Sequence, residues 1–165
     1  MQHFERLLEK TRDRDREEAL IWGNQFLTFR DVEEKRLQWL DLLGMRGVES
    51  GQVVGLRADY SPEVISLFLA LLSNRNIVAL IPRSTKIEET LLVDCQAELL
   101  FRLETDGFCH CEKRPSTAGH PLLRVLRDAG SAGFIVFSSG STGRPKAVLH
   151  DLERFQTKFL AADKK

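Results

Sequence analysis

Ser138, Ser139, Gly140, Ser141, Thr142, Gly143 and Lys146 fall in one short stretch, FSSGSTGRPKAV, residues 137–148. The two glycines lack a Cβ, so the backbone there can take positive φ and approach a ligand closely. Around them, four hydroxyls can each donate a hydrogen bond. Exposed backbone N–H groups can form an anion-binding concavity, and Arg144 and Lys146 add positive charge beside it. The ligand that fits this chemistry is a polyphosphate. It is not the Walker loop, because Gly140 and Gly143 stand too close together and Pro145 separates the second glycine from the lysine. Composition alone would also permit a flexible Ser/Gly linker. Against that, the apolar run 134–137 enters the stretch like a buried strand and a Pro-Lys pair leaves it.

A second cluster, Cys109, His110 and Cys111 with His120 nearby, contains zinc-type ligands. Its single intervening residue is not the two-to-four spacing of a structural zinc knuckle, and no second cysteine pair follows. No metal site is expected there, only a solvent-exposed loop with free thiols. With Cys95 the chain has 3 cysteines, which cannot all pair.

The totals limit the remaining classes. Hydrophobic residues make up 42% and charged residues 29%, the balance of a folded protein with a real core. Lys plus Arg equals Asp plus Glu at 24 each, so no global charge favours nucleic acid or an anionic membrane. No apolar run reaches membrane-spanning length, and the first residues, MQHFERLLEK, are too charged for a signal peptide. One α/β domain over 1–165, in the cytoplasm, is the expectation.

The elements that must hold the Ser/Gly stretch can be read in order. Phe4, Leu7 and Leu8 among charges predict a short amphipathic helix, and Arg12 to Glu18 a solvated turn. The runs 19–22 and 26–29 around Gly23-Asn24-Gln25 predict a β-hairpin. Asp31 is placed as the cap of a helix reaching about Met45, with Val32, Trp39, Leu40, Leu42 and Leu43 on its apolar face. A strand over 52–58 follows, then the helix start Ser61-Pro62-Glu63, a helix through Leu72 that is apolar almost all round, and a strand over 77–81 closed by Pro82. Residues 86–96 read as helix and 97–103 as strand. The region 104–121 lacks periodicity and reads as loop, and 121–127 as a short helical or extended piece. The strand 134–137 feeds the Ser/Gly stretch, 147–149 continues as its partner strand, and Asp151 caps a last helix with Leu152, Phe155 and Phe159. Strand alternating with helix predicts βαβ units and a mainly parallel β-sheet with flanking helices, preceded by the hairpin.

The stretch 139–148 resembles the phosphate-loop signature of the adenylate-forming superfamily, which includes acyl-CoA synthetases, peptide-synthetase adenylation domains and luciferases. That signature is SG(S/T)TG, any residue, PK, Gly or Ala, then an apolar residue. Here it is filled by Ser139, Gly140, Ser141, Thr142, Gly143, Arg144, Pro145, Lys146, Ala147 and Val148. The upstream order is similar to the amino-terminal part of the acyl-CoA synthetase large domain: Leu27 to Val32, Gly47-Val48, Gly51, Ser61 to Glu63 and Pro82 occupy the expected places.

The resemblance implies ATP-dependent activation of a carboxylic acid as an acyl-adenylate, followed in many members by transfer to a thiol of CoA or a carrier protein. It implies ATP and Mg2+ as cofactors. Ser138, Ser139, Gly140, Ser141, Thr142, Gly143 and Lys146 would hold the β and γ phosphates, Thr142 and Lys146 foremost. The family's adenine-binding aromatic and Thr-Glu motif, ribose-binding Asp, hinge and carboxy-terminal catalytic Lys have no counterpart before Lys165, so no catalytic residue is assigned and the chain is not expected to complete adenylation alone. The family's His after the Lys-Gly-Val segment falls at Leu152, and His150 is read instead as a loop or helix-start residue. The alternative function is a non-catalytic α/β module that binds a nucleotide or anion. An incomplete sheet with open edges implies self-association.

Overall fold

A computed structural model describes residues 2–104, 108–116, 118–138 and 145–162, with side chains described as far as 158. The element order is α1 (Gln2–Arg12), β1 (Glu18–Trp22), β2 (Gln25–Thr28), α2 (Phe29–Met45), β3 (Val53–Arg57), α3 (Pro62–Ser73), β4 (Ile77–Ile81), α4 (Glu88–Asp94), β5 (Leu99–Leu103), β6 (Cys109–Lys113), α5 (Pro121–Asp128), β7 (Gly133–Ser138), β8 (Lys146–Asp151) and α6 (Leu152–Ala162). β1 and β2 form a separate antiparallel hairpin turning at Gly23, whose φ of 57° suits a residue without a Cβ.

The other strands make one sheet in the order β6-β5-β3-β4-β7-β8. Its four inner strands are parallel and each edge is closed by an antiparallel strand. The near-continuous apolar runs VVGLR, IVALI and LLFRL follow from this placement, because a parallel strand between two helical layers is buried on both faces. Val54, Leu56, Val78 and Phe101 face a cluster with Trp39, Leu43, Leu67 and Leu71, so α2 and α3 cover one side. Val53, Ile77, Ala79 and Leu100 face Leu91, Leu92, Leu123 and Leu126, so α4 and α5 cover the other. Gly55 on β3 is required by this second layer: a Cβ there would lie 2.6 Å from Leu92 Cδ2.

Two expectations are corrected. The N-cap of α2 lies three residues before the predicted one. Thr28 is the N-cap, its hydroxyl accepting from the Asp31 N–H, while the Asp31 carboxylate accepts from the Thr28 N–H at 2.7 Å. Asp31 is therefore the far half of a capping box, and the Thr28 bond holds its carboxyl below the usual carboxylate range. The expected loop over 104–121 contains the strand β6, paired residue for residue with β5 from Leu99↔Lys113 to Leu103↔Cys109. Cys109 and Cys111 pack against the core on one face, and burial pushes both thiols up; Glu112 on the opposite face takes Arg102 at 2.8 Å. The alternation of the strand thus separates His110 from the two cysteines it was grouped with.

Candidate functional site

The predicted phosphate-binding stretch closes a hairpin. β7 and β8 pair antiparallel in continuous register, Gly133↔Asp151, Phe134↔His150, Ile135↔Leu149, Val136↔Val148, Phe137↔Ala147 and Ser138↔Lys146. Ser139, Gly140, Ser141, Thr142 and Gly143 lie outside the described residues. Ser138 and Lys146, the two predicted site residues that are described, form the terminal pair and are both exposed. Because residues directly opposite one another in an antiparallel pair project to the same face, one hydroxyl and one ammonium stand together where the chain leaves and re-enters the sheet.

Strand pairing changes along β7. β4 pairs with β7 only at Ile77↔Gly133, Val78↔Phe134 and Ala79↔Ile135. Beyond Ile135, the described partner of β7 is β8 alone, so 136–138 extends past the pairing with β4 at the carboxyl edge of the sheet. At that edge β3 runs into α3 on one face and β4 into α4 on the other, so adjacent strand ends diverge. A crevice outside the carboxyl ends of such strands is where open α/β sheets take ligands.

The base of the hairpin is held by an aromatic cluster. Phe134 stacks on His150 with ring centroids 4.8 Å apart, and Phe155 from α6 meets both rings edge-on at 5.0 and 5.7 Å. His150 is thus a strand residue in an aromatic cluster, four residues and about 13 Å along the strand from Lys146. This replaces the expectation of a loop or helix-start histidine. Asp151 does cap α6, its Oδ1 accepting from the Glu153 and Arg154 N–H groups at 2.9 and 3.2 Å, while remaining the last residue of β8. Gly133 at the base has no room for a side chain, since a Cβ would lie 2.8 Å from the His150 carbonyl oxygen.

At the described mouth the donor set is a hydroxyl and an ammonium without a carboxylate. That set fits an anion. No group of three or more His, Cys, Asp or Glu side chains suited to a metal occurs among the described residues.

A cleft without a motif in the sequence lies between the β1–β2 hairpin and the turn after β3. It has a volume of about 480 Å³ and is walled by Trp22, Leu27, Tyr60, Arg83 and Glu104 among others. Its only sequence signal is two large aromatics, at 22 and 60, beside turn residues.

The profile of the family described as AMP-binding enzyme matches residues 7–163. Bacitracin synthase 1 of Bacillus licheniformis is 30% identical over 167 residues, covering 88% of this chain and 3% of that protein. Gramicidin S synthase 2 of Brevibacillus brevis is 28% identical over 159 residues, covering 88% of this chain and 4% of that protein. Among solved structures, the Klebsiella oxytoca NpsA N-terminal subdomain in complex with 3-hydroxyanthranilyl-AMSN superposes with a TM-score of 0.65 at 20% identity, over 91% of this chain and 39% of that one. VinN in complex with L-aspartate gives 0.66 at 16%, over 90% and 47%. The chain therefore spans a small part of the curated relatives it matches and less than half of these structural neighbours.

Proposed function

This chain belongs to the AMP-binding enzyme family, and on that premise we propose that it supplies the phosphate-binding hairpin of an ATP-dependent, acyl-adenylate-forming ligase. The observation that supports this best is the Ser138↔Lys146 pair, which brackets the Ser/Gly stretch between β7 and β8. In this reading the carboxylate of an acid attacks the α-phosphate of ATP, forming the acyl–phosphate bond and breaking the bond to pyrophosphate. Two anions must approach one another, so the chain's contribution is position and charge. Lys146 places an ammonium against the β and γ phosphates, Ser138, Ser139, Ser141 and Thr142 donate hydroxyl hydrogen bonds, and Gly140 and Gly143 let the backbone N–H groups close in. A Mg2+ ion bound with the nucleotide would supply further neutralisation of the phosphate charge. The acid, and the CoA or carrier-protein thiol that receives the acyl group, are recognised by parts of the fold outside this chain. That NpsA has been fused artificially to a carrier domain fits a carrier-protein acceptor.

The test is ATP–pyrophosphate exchange. The chain alone is expected to be silent. Within a polypeptide that supplies the remainder of the adenylation fold it is expected to exchange, with Lys146→Ala lowering the rate on the order of a hundredfold. Exchange by the chain alone, or exchange indifferent to Lys146→Ala, overturns the proposal.

A further inference from the structure

Cys109 and Cys111 stand two positions apart on the edge strand β6, so both thiols project from one face, toward the layer that holds α2. Each packs against the core there and keeps part of its surface exposed. Their register partners on β5, Leu103 and Phe101, are apolar, and His110 projects from the opposite face. Cys95 is the contrast, since it is buried and its Sγ donates to the Leu92 carbonyl oxygen at 3.5 Å. One cation stands beside the pair: burial raises both thiols, and the Arg46 guanidinium at the C-cap of α2 draws each of them back. Glu63, which acts on Cys109 in the opposite sense, already takes Lys35 and the Trp39 indole N–H.

Two thiols so placed do not suit a disulfide within the strand. Side chains two positions apart along a strand are spaced by about 6–7 Å, whereas a disulfide holds its Cβ atoms at about 3.5–4.5 Å. An ion seated between the sulfurs spans that gap without bending the strand. Structural zinc takes four ligands, and no group of three or more His, Cys, Asp or Glu side chains suited to a metal occurs among the described residues. A pair of thiolates alone suits a soft, singly charged ion that is satisfied by two sulfurs. We propose that Cys109 and Cys111 bind one Cu(I) ion through both sulfurs, with Arg46 balancing the charge of the complex. Binding releases two thiol protons to solvent and transfers no electron, so two thiolates and one Cu(I) leave a single negative charge beside one guanidinium. The site lies at the margin of the sheet opposite β8 and does not depend on the phosphate reading.

The test is an anaerobic titration of the reduced chain against Cu(I) held by bicinchoninate, read as loss of the chelate colour. One equivalent is expected to pass to the chain, and its X-ray absorption spectrum should show two sulfur neighbours. Cys109→Ser and Cys111→Ser should each abolish the transfer, whereas His110→Ala should leave it unchanged. Arg46→Gln is expected to weaken binding about fivefold, the effect of removing one nearby charge at the surface. A second measurement needs no variant: one equivalent of Cu(I) should shield Cys109 and Cys111 together from iodoacetamide, as read by mass spectrometry. Failure of the parent chain to take Cu(I) from the chelator overturns the proposal. Transfer that survives with both residues changed to serine does so too, because another group would then hold the ion, and so does shielding of one thiol without the other.

Discussion

Gly133 shows how a residue that touches no ligand can govern the site. It opens β7 opposite Asp151, and an added Cβ would meet the His150 carbonyl oxygen at 2.8 Å and Leu126 Cδ1 at 3.1 Å. The nearer obstacle is backbone of the partner strand, which cannot swing aside as a side-chain end can. Gly133→Ala is therefore expected to cost about 1–3 kcal/mol of stability and to weaken polyphosphate binding, although no group near the phosphate has changed. Denaturation midpoints and pyrophosphate affinity measured on the same variant check both halves; an unaltered midpoint contradicts the tight base of the hairpin. At this scale the sequence was legible where chemistry is local. The Ser/Gly/Lys stretch announces an anion site because its residue types have few other uses together. The steric need at Gly133 depends on a strand eighteen positions away, and a single glycine after Ala132 carries no sign of it.

Among the elements, the helical layer over the sheet is tied by one buried cation. The Arg36 guanidinium, only 5% exposed, donates from Nε and Nη2 to Glu33 at 2.7 and 2.8 Å and from Nη1 to the Ser73 hydroxyl of α3 at 2.8 Å; Glu33 also takes Arg12 of α1 at 3.1 Å. Bonding to Arg36 holds the Glu33 carboxyl below the usual carboxylate range. Its contribution is therefore complete above the unfolded value and is lost as pH falls through the lower folded one. Glu33→Gln, which strands the buried guanidinium, should cost about 3 kcal/mol near neutral pH. The gap in melting temperature between the variant and the parent chain should close as the pH falls below the ordinary glutamate range. A gap that stays constant with pH contradicts the assignment. Periodicity found α2 and α3, because long amphipathic or apolar runs carry their own period. It passed over Arg36, whose burial depends on Ser73 and Glu33 arriving together. It also passed over β6, since CHCEK has the alternation of an edge strand but few of the β-branched residues that mark one.

For the molecule as a whole, four parallel strands buried between two helical layers account for the stable part, and the antiparallel strands β6 and β8 form its margins. Both edges are open among the described residues. Val148 on β8 and Leu122 and Val125 on α5 are exposed, a physical basis for the expected self-association. No described helix is long and apolar enough to cross a membrane. The strand–helix alternation made this architecture readable in advance; the strand order was not readable, because it is set by pairings between distant segments.

If the segment joining β7 to β8 cradles phosphate, calorimetric titration of the chain with pyrophosphate will show it. Binding to the parent chain is expected to saturate and to weaken about tenfold or more in Lys146→Ala and in Thr142→Ala, the effect of losing a charge-assisted hydrogen bond. Lys146→Ala should melt at the temperature of the parent, since Lys146 is exposed. Absence of binding to the parent chain, or equal affinity in all three proteins, would contradict it.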